Sequence, residues 1–164
     1  MRAALAATAA ALLAGATLAW LGGEDQPRLR AVATSGGGFE LAHPAGWRAA
    51  APGPVLHRAD GRGAVAVQEQ PRLEGSLADV ERDLERRLKR RVPDARRVAG
   101  RVVQLATGPA LSYTFVRERS GLVQGIVVAP AGARTVMIET AARGDAADVA
   151  REIGVIVRSL RPVS

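Results

Sequence analysis

Residues 108–142 read GPALSYTFVRERSGLVQGIVVAPAGARTVMIETAA, and the order of apolar and turn-forming residues in them decides the fold class. Strand-like runs over 110–119, 122–129 and 134–142 are separated by Ser120-Gly121 and by Pro130-Ala131-Gly132, both turn signals. Connections this short join antiparallel neighbours, because parallel strands need a crossover of many more residues. Within the second run Leu122, Val123, Ile126, Val127 and Val128 put apolar side chains on both faces. That pattern suits a central strand covered on both sides. A further run over 97–106 leads through Gly108-Pro109 into the same series, so four strands follow one another.

A helix is expected on each side of this series. Ser76 followed by Asp79 fits a capping box, and Leu77, Val80, Leu84 and Leu88 then recur at helical spacing until Pro93 stops the helix. Its other face carries Arg82, Arg86, Lys89 and Arg90, offset by the pairs Glu85 with Lys89 and Asp83 with Arg87. After the strands, Asp145 can cap a second helix whose stripe is Val149, Ile153, Ile156, Val157 and Leu160, ending at Pro162.

Before the first helix the signals are shorter. Phe39 and Leu41 alternate with Glu40 and Ala42 in a strand that turns through Pro44, Ala45 and Gly46 to Trp47. A strand over 55–58 and another over 64–70 flank the Asp60-Gly61 turn. The expected architecture is α+β: a mainly antiparallel twisted sheet of six to seven strands, flanked by helices as an α/β/α sandwich and preceded by an N-terminal hydrophobic helix.

That preceding helix is residues 1–23. Met1 and Arg2 bring positive charge, and residues 3–23 carry no charged side chain. This is the pattern of a signal peptide or a signal anchor. Thr17 and Ala19 offer a small-x-small cleavage site before Trp20, whereas about 20 apolar residues also suffice to span a bilayer. Either way, the basic start and the acidic Glu24 and Asp25 would send the remainder outside the cytoplasm, tethered by the N-terminal segment or secreted after cleavage near Ala19. Residues 24–38, with Pro27, Ser35 and Gly36 to Gly38, read as a flexible spacer, and 39–162 as one domain.

Composition narrows the rest. The chain has 164 residues, 48% hydrophobic but only 3% aromatic. The core is therefore built mainly from Val, Leu, Ile and Ala. There is no cysteine, which excludes disulfides, thiolate zinc sites and attachment through a lipidated cysteine. Of the 23 Lys and Arg residues only Lys89 is a lysine, and the net charge is +7. The balance favours anionic partners without naming one.

The run Phe39-Glu-Leu-Ala-His-Pro-Ala-Gly-Trp47 resembles the aromatic, Pro, Gly-Trp opening of domains in the PsbP-like α/β/α sandwich superfamily, in the style of its small exported actinobacterial LpqN-type members. In that superfamily the closing hairpin leads to a helix ending near a serine, and Ser159 stands at the matching position. The resemblance covers about residues 38–162. It implies a non-catalytic binding or assembly module whose members have unrelated partners. The lipidated cysteine of the lipoprotein members is missing here, so a lipid anchor is not carried over.

Candidate chemistry is sparse. His43 and His57 lack the spacing of a helical metal motif, and His43 with Pro44 is read as shaping the turn before Trp47. No Gly-x-Ser-x-Gly occurs, Ser76 is a helix cap and Ser120 a hairpin turn. Gly61-Arg-Gly63 is followed by a strand pattern, unlike a dinucleotide loop. Glu69, Glu74 and Glu139 belong to no recognisable carboxylate pair. No catalytic, cofactor-binding or metal residue is therefore expected. Two sets remain: Arg82, Arg86, Lys89 and Arg90 as an anionic-surface contact or a solvated face, and Phe39 with Trp47 as core or pocket.

The expected function is a non-catalytic extracytoplasmic binding or assembly module at the cell envelope, contacting an envelope protein or an apolar ligand. The alternatives are an envelope hydrolase built on Glu69 or His57, and a structural domain held to anionic lipid or wall polymer through its basic helix. Nucleic acid is not an expected partner, since the basic stretch lacks interleaved aromatics. The oligomeric state is left open.

Overall fold

The computed structural model describes residues 30–34, 36–50, 55–143 and 147–163, with the side chains of 97–99 excepted. The strands are β1 (Arg30–Ala33), β2 (Phe39–His43), β3 (Trp47–Ala50), β4 (Val55–Arg58), β5 (Gly63–Pro71), β6 (Ala95–Leu105), β7 (Gly108–Arg117), β8 (Val123–Ala131), β9 (Arg134–Ala142) and β10 (Arg161–Pro162). Helix α1 (Leu77–Arg91) lies between β5 and β6, and α2 (Ala147–Arg158) between β9 and β10.

The large sheet has seven strands in the order β3-β4-β5-β9-β8-β7-β6, all neighbours antiparallel. As the apolar run around Val127 implies, β8 is interior, with β9 and β7 on its two sides. β5 and β9 pair over nine positions, from Gly63 opposite Ala142 to Pro71 opposite Arg134. β6 pairs β7 with a bulge between Arg97 and Ala99.

Side-chain alternation divides the interior in two. On one face Val65, Val67, Val127, Val136 and Ile138 pack with Val149, Ile153, Ile156 and Val157 of α2 and with Phe39 and Leu41 of β2. On the other face Leu111, Tyr113, Phe115, Ile126 and Val128 pack under Leu77, Val80, Leu84 and Leu88 of α1. No residue of α1 is fully buried, whereas four of α2 are. The α1 layer is accordingly the thinner of the two, sealing β7 and β8 through half-exposed aliphatic side chains.

Three expectations need correction. The opening strand does not join the large sheet: β2 pairs β1 and β10 in a separate three-stranded sheet. Within the expected spacer, residues 30–33 form β1, whose Arg30 to Ala33 lie opposite His43 to Glu40. The small sheet is closed from the far end of the chain, where β10 follows Leu160. The residues after Trp47 are a strand, β3, at an edge of the large sheet. The expected N-terminal helix, the rest of the spacer and the Asp145 cap lie outside the described residues. Among the described residues no helix is long and apolar enough to cross a membrane.

Ser159 shows why a serine suits the end of α2. Its hydroxyl accepts the Ala42 amide at 2.7 Å and donates to the Ile156 carbonyl at 2.6 Å. One side chain thus closes the helix and fastens β2 to it.

Candidate functional site

The basic face of α1 is built from its N-terminus. Ser76 Oγ accepts the Asp79 amide at 3.3 Å, and Asp79 Oδ2 accepts the Ser76 amide at 2.9 Å, completing the capping box. Hydrogen bonds from Ser76, reinforced by Arg82, lower the Asp79 carboxyl to about 2. Asp83 pairs with Arg86 at 3.3 Å and with Arg87 at 2.6 Å. The expected Glu85 to Lys89 pair is replaced: Glu85 Oε1 accepts the hydroxyl of the buried Tyr113 at 2.7 Å. A buried phenol needs an acceptor more than an exposed ammonium needs a counter-ion.

A shallow surface groove is lined by Asp79, Arg82, Glu85, Arg86 and Lys89. It thus brings together three of the four basic residues singled out in the sequence. Arg90 is exposed and lies off the groove. Arg82 is engaged by Asp79 and Arg86 by Asp83, while Lys89 and Arg90 make no ion pair among the described residues. The groove therefore presents a cationic rim whose charge is partly compensated.

Phe39 and Trp47 are core residues, 7% and 1% exposed. The Trp47 indole Nε1 donates to Glu152 Oε2 at 2.7 Å. The same carboxylate accepts Arg58 Nε at 2.9 Å, and Arg58 Nη2 reaches Asp148 Oδ2 at 2.8 Å. Asp60 completes the set around the guanidinium. The bond to Glu152 raises the Arg58 pKa further, and the nearby carboxylates add to it. Gly63 belongs to this cluster, because a Cβ there would meet Trp47 at 2.8 Å and Val149 at 2.7 Å. The second glycine of Gly61-Arg-Gly63 makes room for the indole.

Of the remaining polar candidates, Glu69, His43 and Ser120 hold local structure in place. The Glu69 side chain is 2% exposed, accepts the Thr34 hydroxyl and the Gly38 amide, and faces Arg134 at 3.5 Å. It holds the turn before β2 against β5. His43 is buried and donates from Nδ1 to the Pro44 carbonyl at 3.0 Å. Ser120 Oγ accepts the Leu122 amide at 3.3 Å. His57 and Glu139 are exposed. Among the described residues no three or more His, Asp or Glu are grouped so as to hold a metal ion.

Sequence reasoning missed Arg58, Asp148, Glu152 and Thr34, and it gave Glu85 Lys89 as partner where the structure has Tyr113. Asp148 and Glu152 were visible only as acids one helical turn apart beside the apolar stripe of α2. Glu152 lies 105 positions from Trp47 and 94 from Arg58, a separation no local pattern records.

The sequence matches no family model and no curated protein. Its structure is similar to that of cyanobacterial PsbP (CyanoP) from Synechocystis, with a TM-score of 0.60 at 12% identity over 89% of this chain and 99% of that one. The chain has a PsbP-like fold. LpqN of Mycobacterium tuberculosis, described as involved in cell envelope biogenesis, gives a TM-score of 0.57 at 15% identity over 85% of this chain and 93% of its own. A protein from Bacteroides thetaiotaomicron gives 0.50 at 12% identity, and there the match spans 50% of the other chain. The PsbP-like resemblance read from the run ending at Trp47 and from Ser159 is thereby borne out for the fold.

Proposed function

We propose that this PsbP-like chain is a non-catalytic binding or assembly module working on the outer side of a cell membrane, delivered there by the segment read in residues 1–23. The observation that carries the reading is the likeness over 85% of the chain to LpqN, a protein involved in cell envelope biogenesis. The use of the polar groups supports it. Glu69, Ser76, Ser120, His43 and Ser159 each hold a loop, cap or strand in place, whereas a general base or nucleophile must be free to meet a substrate.

The test is to crosslink the tagged full chain in envelopes of its native host and identify what is retained. A reproducible envelope protein or apolar ligand is the expected result. Recovery of nothing beyond background overturns the reading.

A second reading has its own observation, the groove that joins Arg82, Arg86 and Lys89. On this reading α1 rests on an anionic surface, phospholipid or wall polymer. Binding to anionic vesicles should fall with added salt and with Lys89→Glu plus Arg90→Glu. Binding indifferent to both removes it.

A further inference from the structure

The two apolar layers of the domain are held shut unequally. Among the described residues, the larger buried cluster draws on strands of both sheets and on α2, and includes no residue of α1. The smaller one, Leu111, Tyr113, Phe115, Ile126 and Val128, has α1 for its cover. Yet none of the 15 residues of α1 is buried, whereas Val149, Ile153, Ile156 and Val157 of α2 are. Leu77, Val80, Leu84 and Leu88 bury only part of their side chains. Taking α1 off the sheet therefore breaks half-made contacts and leaves the larger core complete. Segments with few buried apolar contacts are those that open at less than the cost of global unfolding.

Polar contacts bound the segment that can move. On its N-terminal side the Leu73 amide donates to Oγ1 of the buried Thr135 at 3.1 Å, which pins the chain to β9. On its C-terminal side Arg117 Nε donates to Asp94 Oδ1 at 3.0 Å, and the Glu118 amide donates to the Asp94 carbonyl at 3.0 Å. These two bonds pin the chain to the end of β7. Between the pins lie residues 74–93, of which 74–76 are exposed. Within that span α1 supports its own shape: the capping box closes its first turn, and Asp83 pairs with Arg86 and Arg87.

Midway along the helix, Glu85 Oε1 accepts the Tyr113 hydroxyl at 2.7 Å, joining α1 to the strand beneath it. A bond accepted by a carboxylate is stronger than one between neutral groups, so this contact acts as a latch. What it closes over is apolar and continuous: Tyr113 lies opposite Ile126, and Leu111 opposite Val128, with Phe115 next along β7. Surfaces of that kind are the ones proteins expose in order to dock something.

We propose that α1 is a lid, hinged at Leu73 and Asp94 and latched by Glu85 on Tyr113, that lifts off β7 and β8 while the α2 layer stays folded. Closed, it hides the strip from Leu111 to Phe115 with Ile126 and Val128; open, it bares that strip as one apolar face. The motion does not depend on what the chain binds.

The chain has no cysteine, so a single introduced thiol reports on one place in the full-length protein. Val128→Cys sets it beneath α1, where Val128 is 2% exposed, and Val136→Cys sets it in the α2 layer, where Val136 is 0% exposed. Under native conditions a thiol reagent should label Val128→Cys at least about tenfold faster than Val136→Cys. Low urea should speed the second and scarcely change the first, because lifting the lid exposes far less surface than unfolding does. Tyr113→Phe, which removes the latch, should raise labelling of Val128→Cys by about tenfold or more. Ser159→Ala, which removes bonds made between α2 and β2, should raise labelling of Val136→Cys and leave Val128→Cys unchanged. Equal rates with equal urea dependence at the two positions mean that the whole domain must unfold, and overturn the proposal. So does a Val128→Cys rate that Tyr113→Phe leaves unchanged. Should Val128→Cys fail to fold, Leu111→Cys, in the same cluster and also at a position 2% exposed, gives the same reading.

Discussion

Replacing Glu152 by Ala tests the packing around Trp47 most directly. The substitution removes the acceptor of an indole N–H whose residue is 1% exposed, and one of three carboxylates around a guanidinium that is 18% exposed. An unpaired buried donor costs about 1–3 kcal/mol. Arg58 keeps Asp60 and Asp148, so its share of the loss is smaller. A total of about 2–3 kcal/mol follows, equivalent to a fall in Tm of roughly 6–12 °C for a domain of this size. Urea unfolding followed by far-ultraviolet circular dichroism measures it without relying on Trp47 as the reporter. The decisive quantity is the coupling with Trp47→Phe, which removes the donor: in the double variant the cost of Glu152→Ala should shrink by about 1 kcal/mol or more. A cost below about 0.5 kcal/mol, or strictly additive variants, refutes the reasoning.

Other perturbations follow from the same structure. Gly63→Ala should destabilise by about 1–3 kcal/mol, because its Cβ would press on Trp47 and Val149; a second change that shortens Val149 should recover part of the loss in the same unfolding assay. Ser159→Ala strands the Ala42 amide and should cost about 1–3 kcal/mol, with faster amide exchange in β2 as the local sign. Hydrogen bonds from Ser76 hold the pKa of the Asp79 carboxyl at about 2 in the fold, below its ordinary value, so its support for α1 is fully present above the unfolded value and is lost as pH falls through the folded one. Acid titration of helical content should show that loss in the wild type and a flatter profile in Asp79→Asn.

The parts of the fold legible in the sequence are those whose patterns are local. The strand around Val127 was readable because apolar side chains on both faces need cover on both, and α1 because Ser76, Asp79 and the Leu77 to Leu88 stripe agree with one another. β1, β3 and β10 were not, since four or fewer residues carry too little periodicity to read, and β10 exists only by pairing with Glu40 and Phe39 near the start of the domain. The separation of β2 into its own sheet was hidden for the same reason. At the candidate site, the basic residues of α1 were visible as a helical face. The diversion of Glu85 to Tyr113 follows only from tertiary packing.

On the proposed function, this PsbP-like domain works as a binding module outside the cytoplasm. The most direct measurement is external protease treatment of intact native-host cells, or spheroplasts if a wall or outer layer shields the surface, combined with intact mass of the untreated protein. The account predicts digestion without lysis, or recovery from the medium with a start near Trp20. A chain protected until the membrane is broken, and still starting at Met1, would contradict it.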